Sequence, residues 1–254
     1  DQPRSRGLGD VYKRQALEHV HFVVTVDGDT MLPPGSVGRL VGTLAHPLNR
    51  ASVDPASGRI ARGYTIIQPR VEISPSSAER TLFARLYTGE TAIDIYSRAV
   101  SDVYQDLFGA GIFVGKGIYD VRTFHAVIDG RIPENRILSH DLLEGAHGRA
   151  ALATDIVIYE GFPSDYLEYD RRLHRWIRGD WQLLGWLWSQ VPGPDGTNLR
   201  NRIAGIDRWK IFDNLRRSLV SPSLVVLLLA GWFVLPGQPA FWTCLLYTSD
   251  AADE

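Results

Sequence analysis

Apolar and polar positions along the 254-residue chain divide it into short strand-like and helix-like stretches. "VHFVVTV", residues 20–26, is an apolar, mostly β-branched run that predicts a buried strand. Ser36 followed by "VGRLVGTLAH" predicts a capped helix that Pro47 ends. "YTIIQPRVEI" alternates as a second strand, with Pro69 marking an edge or a bend. "SPSSAERTLFARLY" opens a helix, with Ser74 and Pro75 at its start and Glu79 in its first turn. "GAGIFVGKGIYDV" predicts a shaped loop and a short strand, and "DIVIYEGFP" a strand that runs into a turn. "DYLEYDRRLHRWIRGDWQLLGWLWSQ" predicts one long helix, stopped by Pro192 and Gly193. Strands alternating with helices imply an α/β layer architecture, and no internal repeat is present.

The pattern changes near the carboxyl end. No charged residue occurs between Ser218 and Thr243. About 20 apolar residues span a bilayer as a helix, so residues 218–243 are expected to form a transmembrane segment. Lys210, Arg216 and Arg217 precede it, which sets the preceding domain on the cytoplasmic side. "RWKIFDNLRRSL" places Trp209, Ile211, Phe212, Leu215 and Leu219 on one broad face with basic residues nearby, so residues 199–217 are expected to form an interfacial helix. A buried core hairpin is the other reading of this tail.

Two end segments alter how composition is read. Ser5 to Gln15, "SRGLGDVYKRQ", and Cys244 to Glu254, "CLLYTSDAADE", both resemble translated sequencing adapter. Segments 1–15 and 244–254 are therefore set apart from fold reasoning. The only cysteine, Cys244, goes with them, so the remainder carries no disulfide or thiolate chemistry. Residues 16–243 hold 23 basic against 24 acidic side chains, a balance that gives no reason to expect nucleic acid as a partner.

Three features carry candidate chemistry. Asp27 and Asp29 follow a strand, so both carboxylates leave the same side of the chain at a strand's carboxyl end, where open α/β sheets bind ligands. Hard oxygen donors at that spacing suit Mg²⁺ or Mn²⁺, but an ordinary acidic turn fits as well. In "ILSHDLLEG", Asp141 stands near a helix start with Ser139 as a cap; it could accept a proton from a hydroxyl or merely complement the helix dipole. His140 is equally ambiguous. In "RRLHRWIRGDWQ", Arg172, Arg175 and Trp176 fall on one helix face, pairing guanidinium groups for phosphate with an indole plane for a sugar. Trp186 and Trp188 read as core or membrane-edge residues.

The order "VDGDT", "GKGIYDV", "LSHDLLEG", "RLHRWIRGDWQ" and an apolar tail resembles processive, membrane-bound family 2-type glycosyltransferases, which carry D-x-D, an acidic motif and Q-x-x-R-W in that order. "LAHPLNR", "QPRV", "ENRILSHDLLEG" and "WKIFDNLRRSL" are similar to the glucosyltransferase region (family 84, family 2-like) of bacterial cyclic β-1,2-glucan synthases.

The resemblance implies a GT-A-type, Rossmann-like catalytic domain over residues 16–198, truncated at its amino end and followed by a transmembrane helix. It implies inverting transfer of glucose from UDP-glucose to a growing β-1,2-glucan, on the cytoplasmic side of a bacterial inner membrane, with membrane lipid as a further partner. Asp27 and Asp29 would lie at the donor diphosphate, Asp29 holding Mg²⁺ or Mn²⁺. Asp141 would be the general base, Arg172 and Arg175 would hold the pyrophosphate, and Trp176, Lys116 and His140 would bind the acceptor. The sequence departs from the pattern in two places. Arg172 stands where Q-x-x-R-W begins with Gln. The family's uridine-binding strand and first aspartate should also precede Asp27, so amino- and carboxyl-terminal regions of a parent chain are expected to be missing. The chain alone is expected to be nearly inactive. A related periplasmic-glucan glucosyltransferase and a non-catalytic membrane-anchored sugar- or nucleotide-binding module are the alternatives.

Overall fold

The computed structural model describes residues 19–88, 102–133, 136–138, 140–193 and 196–250. The expected cap at Ser139, the adapter-like stretch 5–15 and the final residues 251–254 fall outside these. The chain divides into two compact units, Asp1–Ile211 and Phe212–Glu254.

In the first unit, β1 (Phe22–Thr25) runs into the acidic turn and then α1 (Ser36–Ala45). Gly35, at φ 84°, takes the helix-cap position that the sequence pattern assigns to Ser36, and Ser36 is already helical. A small hairpin of β2 (Ser52–Val53) and β3 (Ile60–Arg62) leads into β4 (Ile66–Ile73). The next expected helix is two short ones, α2 (Pro75–Ala78) and α3 (Leu82–Tyr87), because Thr81 starts a new cap by accepting the Ala84 N–H. α4 (Val103–Phe108) is capped by Asp102, which accepts the N–H groups of Tyr104 and Gln105. A glycine-rich loop then enters β5 (Gly117–Asp120), α5 (Val121–Ile128), α6 (Asp141–Gly148) and β6 (Ala150–Glu160). The long helix α7 (Tyr166–Gln182) stops earlier than the pattern predicts, tightening into a 3-10 turn over Leu183–Leu187 that buries Trp186. Trp188 is exposed, and β7 (Gln190–Pro192) pairs with β8 (Asn198–Arg200) before α8 (Gly205–Ser218).

The central sheet has strand order β1-β5-β4-β6. β5 is antiparallel to both β1 and β4, whereas β4 and β6 run parallel. Pro69 sits in an inner strand, but its register with β6 shifts at Pro69/Arg70 and β5 pairs only with Ile66 and Ile67, so no ladder donor is missed there. Alternation along the strands splits neighbouring residues between two cores. Ile66, Tyr119 and Ala150 pack with Phe113 and Phe124 on one face. Ile67, Ile118 and Ala151 pack with Leu40, Leu44 and Ile156 on the other. A sheet covered on both faces explains why consecutive positions such as Ile66–Ile67 and Ile118–Tyr119 are both apolar. Full burial of a residue such as Leu40 or Ile67 stabilises the unit by about 2 kcal/mol.

The second unit opens inside α8 and contains α9 (Val220–Phe233) and α10 (Pro239–Asp250). The transmembrane helix expected over 218–243 is not seen among the described residues as one helix: no single helix is long and apolar enough to cross a membrane. Pro236 and Gly237, the latter at φ 114°, end the apolar helix and turn the chain back. α10 packs on α9 with Trp242 against Gly231, where a Cβ would come within 2.6 Å of the indole. α8 and α9 together do meet the length and composition of a broken span. Val226, Phe233 and other apolar side chains of α9 remain exposed. The expected interfacial segment is also divided: 198–200 is β8, and Ile211 and Leu215 are buried while Trp209 and Phe212 are exposed.

Candidate active site

The acidic turn is stapled to the end of β6. The backbones of Met31 and Tyr159 exchange both hydrogen bonds, at 2.7 and 3.0 Å. Asp27 N–H donates to Thr30 Oγ1 at 3.0 Å, and that hydroxyl donates to Glu160 Oε1 at 3.3 Å. Asp29 lies beside Gly161, where a Cβ would stand 3.1 Å from its Oδ2. The missing side chain leaves room at Asp29.

Lys116 enters this cluster from the loop before β5. Its ammonium lies 2.5 Å from Glu160 Oε1 and 3.2 Å from Asp27 Oδ2. Burial alone would lower the Lys116 pKa, but Glu160 and then Asp27 outweigh it and hold the ammonium above the usual lysine value. The other Glu160 oxygen faces Arg172 Nη2 at 3.8 Å, and the Arg172 guanidinium lies over the Trp176 ring, 4.8 Å from its centroid. Arg175, on the same helix, is exposed.

Asp141 approaches the same loop from the other side. Gly115, at φ 93°, lies against its carboxylate, and a Cβ there would come within 2.9 Å of Asp141 Oδ2. Only glycine suits both that backbone conformation and that contact. The dipeptide Gly115–Lys116 therefore joins the acidic turn to Asp141, and Thr25 Oγ1 anchors it by donating to the carbonyls of Gly115 and Gly117. His140 occupies the cap position of α6, its Nε2 bonded to the Ile137 carbonyl at 2.9 Å. Gln182, at the end of α7, accepts the Leu138 N–H at 2.7 Å and ties this segment to the arginine-bearing helix.

Behind Asp141 lies a buried acid. Glu144 is one helical turn on, and Tyr119 donates its hydroxyl to Glu144 Oε2 at 2.7 Å. Burial, with the neighbouring Asp141 charge, raises the Glu144 pKa to about 7, against the opposing Tyr119 hydrogen bond. On the same helix, burial and then Arg131 depress the His147 pKa to about 3.

The two shifts oppose each other in stability. Glu144 has its folded pKa above its unfolded one, so its contribution is full below pH 4.5 and lost as pH rises to about 7. His147 has its folded pKa below the unfolded one, so its contribution is present above pH 6.5 and lost as pH falls toward 3. Between pH 4.5 and 6.5 the slopes cancel. Urea unfolding of wild type and Glu144→Gln, compared across this range, should show a difference that falls by about 3 kcal/mol from pH 4.5 to 7. A pH-independent difference would contradict a protonated Glu144.

Sequence reasoning missed Glu160, Thr30 and Gly161. The available signal was a lone glutamate closing the apolar run "DIVIY", a place where an unpaired charge is costly. At 4% exposure, Glu160 needs the cations that surround it.

An acidic turn at a strand's carboxyl end, a buried lysine, Arg172 of α7 and Asp141 thus gather around one glycine-rich loop of an α/β protein. The family model described as glycosyl transferase family group 2 matches residues 22–251. The chain is 44% identical over 234 residues to the cyclic beta-(1,2)-glucan synthase NdvB of Rhizobium meliloti (strain 1021). That alignment takes in 91% of this chain and spans 8% of the relative's length. The chain belongs to glycosyl transferase family group 2.

Proposed function

We propose that the chain is the glucosyltransferase portion of a cyclic β-1,2-glucan synthase: a GT-A-type domain that moves glucose from UDP-glucose, with inversion and processively, onto a growing β-1,2-glucan. The observation that carries this reading is the Gly115–Lys116 loop, which touches the D-x-D turn with one residue and Asp141 with the other. A donor diphosphate and an acceptor hydroxyl need these two kinds of group at neighbouring positions.

In this mechanism Asp141 takes the proton from the acceptor's 2-hydroxyl, and the resulting alkoxide attacks the anomeric carbon as the bond to UDP breaks. In-line attack converts an α-linked donor into a β-linked product. Arg172 and Arg175 neutralise the departing diphosphate, while Trp176 and His140 line the acceptor side. Asp27 and Asp29 supply hard oxygens, and glycine at 161 keeps a side chain off the Asp29 carboxylate, so these two residues would hold a Mg²⁺ or Mn²⁺ ion. No third His, Cys, Asp or Glu joins them among the described residues. When bound, the cation would add positive charge at the leaving diphosphate.

The bent pair α8–α9 meets the length and composition of a broken span, which supports attachment to a bacterial inner membrane. Arg216 and Arg217 before the apolar stretch support the cytoplasmic side for the residues that precede them. The test is to supply UDP-glucose to the full-length protein and read the configuration and linkage of the product. Other linkages would favour the periplasmic-glucan enzyme, and donor or glucan binding without transfer would favour a binding module.

A further inference from the structure

The resemblance assigns Lys116 to the acceptor, but its surroundings favour the donor. The ammonium is held by Glu160 and Asp27, and the same Glu160 faces Arg172. Lys116 is 8% exposed and Glu160 4%, so the pair is fixed in the floor of the site rather than sampling solvent. The Lys116 ammonium reaches Glu160 at the end of β6 and Asp27 in the acidic turn.

We propose that Lys116 binds the phosphates of the sugar-nucleotide donor and that Glu160 is the positioning residue that holds it, and Arg172, toward them. This rests on reading the acidic turn as the donor site. Glu160 divides its two oxygens between a lysine on the loop before β5 and an arginine on α7. It thereby fixes two cations from separate elements on one side of the turn. A compact ammonium suits a phosphate as a point charge, and a partly desolvated one interacts more strongly than an exposed one. With Glu160 neutralised, Lys116 keeps only Asp27 as a partner and collapses onto the turn, away from the phosphates.

UDP binding by the full-length protein, measured by calorimetry, tests this together with acceptor kinetics. Lys116→Met should weaken UDP binding about tenfold or more and leave the acceptor KM within about twofold, with Lys116→Arg recovering most of the loss. Glu160→Gln should weaken UDP binding about threefold or more in the wild-type background, and by much less in the Lys116→Met background, as expected for coupled residues. An acceptor KM that moves while UDP affinity holds would return Lys116 to the acceptor. Equal effects of Glu160→Gln in both backgrounds, or tighter UDP binding, would remove the positioning role. Arg175→Ala separates the two levels. If it too leaves UDP binding unchanged, the donor-site reading falls; if it weakens binding and Lys116→Met does not, only this inference falls.

Discussion

Replacing Asp141 with Asn in the full-length protein should lower glucosyl transfer about a thousandfold, while UDP-glucose binding stays within about twofold. The substitution is nearly isosteric, so the contact with Gly115, which leaves no room for a Cβ, is kept. What is lost is the ability to take a proton. A second readout comes from Glu144: the Asp141 charge helps raise its pKa to about 7, so the Asn variant should titrate Glu144 at lower pH. Transfer retained at near wild-type rates would remove Asp141 from the base role. Equal loss of transfer and donor binding would make it a structural residue of the loop.

Asp29→Asn should be nearly as severe, lowering transfer about a hundredfold or more and raising the Mn²⁺ concentration needed for UDP binding at least tenfold. Asp27 cannot compensate, because its Oδ2 is already 3.2 Å from the Lys116 ammonium. Asp29 stands beside Gly161, where a Cβ would come within 3.1 Å of its Oδ2. Asp27→Asn frees Lys116 from one of two partners and should act more mildly. Direct titration of Mn²⁺ in the presence of UDP, read by electron paramagnetic resonance, checks this without turnover. Unchanged Mn²⁺ binding in Asp29→Asn would exclude it as a ligand.

Apolar runs made β1 and the end of β6 legible and alternation made β4 legible, because apolar residues of the sheet pack into cores on both faces. The glycine-rich loop before β5 was also legible, since "GAGIFVGKG" packs glycines where side chains would collide. Boundaries were less so. Thr81 breaks the expected helix in two, and Gly35 rather than Ser36 caps α1. Composition over 218–243 marked an apolar tail but not its division, in which Pro236 and Gly237 follow α9 and the chain returns as α10. Motif order singled out Asp27, Asp29, Asp141 and the face bearing Arg172 and Trp176, which the fold brings around one loop and the end of β6. It could not find Glu160, whose role depends on a lysine 44 positions away meeting it in space.

The product reports donor, linkage and stereochemistry together. Full-length protein supplied with isotopically labelled UDP-glucose and Mg²⁺ or Mn²⁺ should yield a glucan whose new bonds are β-1,2 by nuclear magnetic resonance and methylation analysis. Bound donor with no incorporation, or new bonds of α configuration or of another linkage, would contradict it.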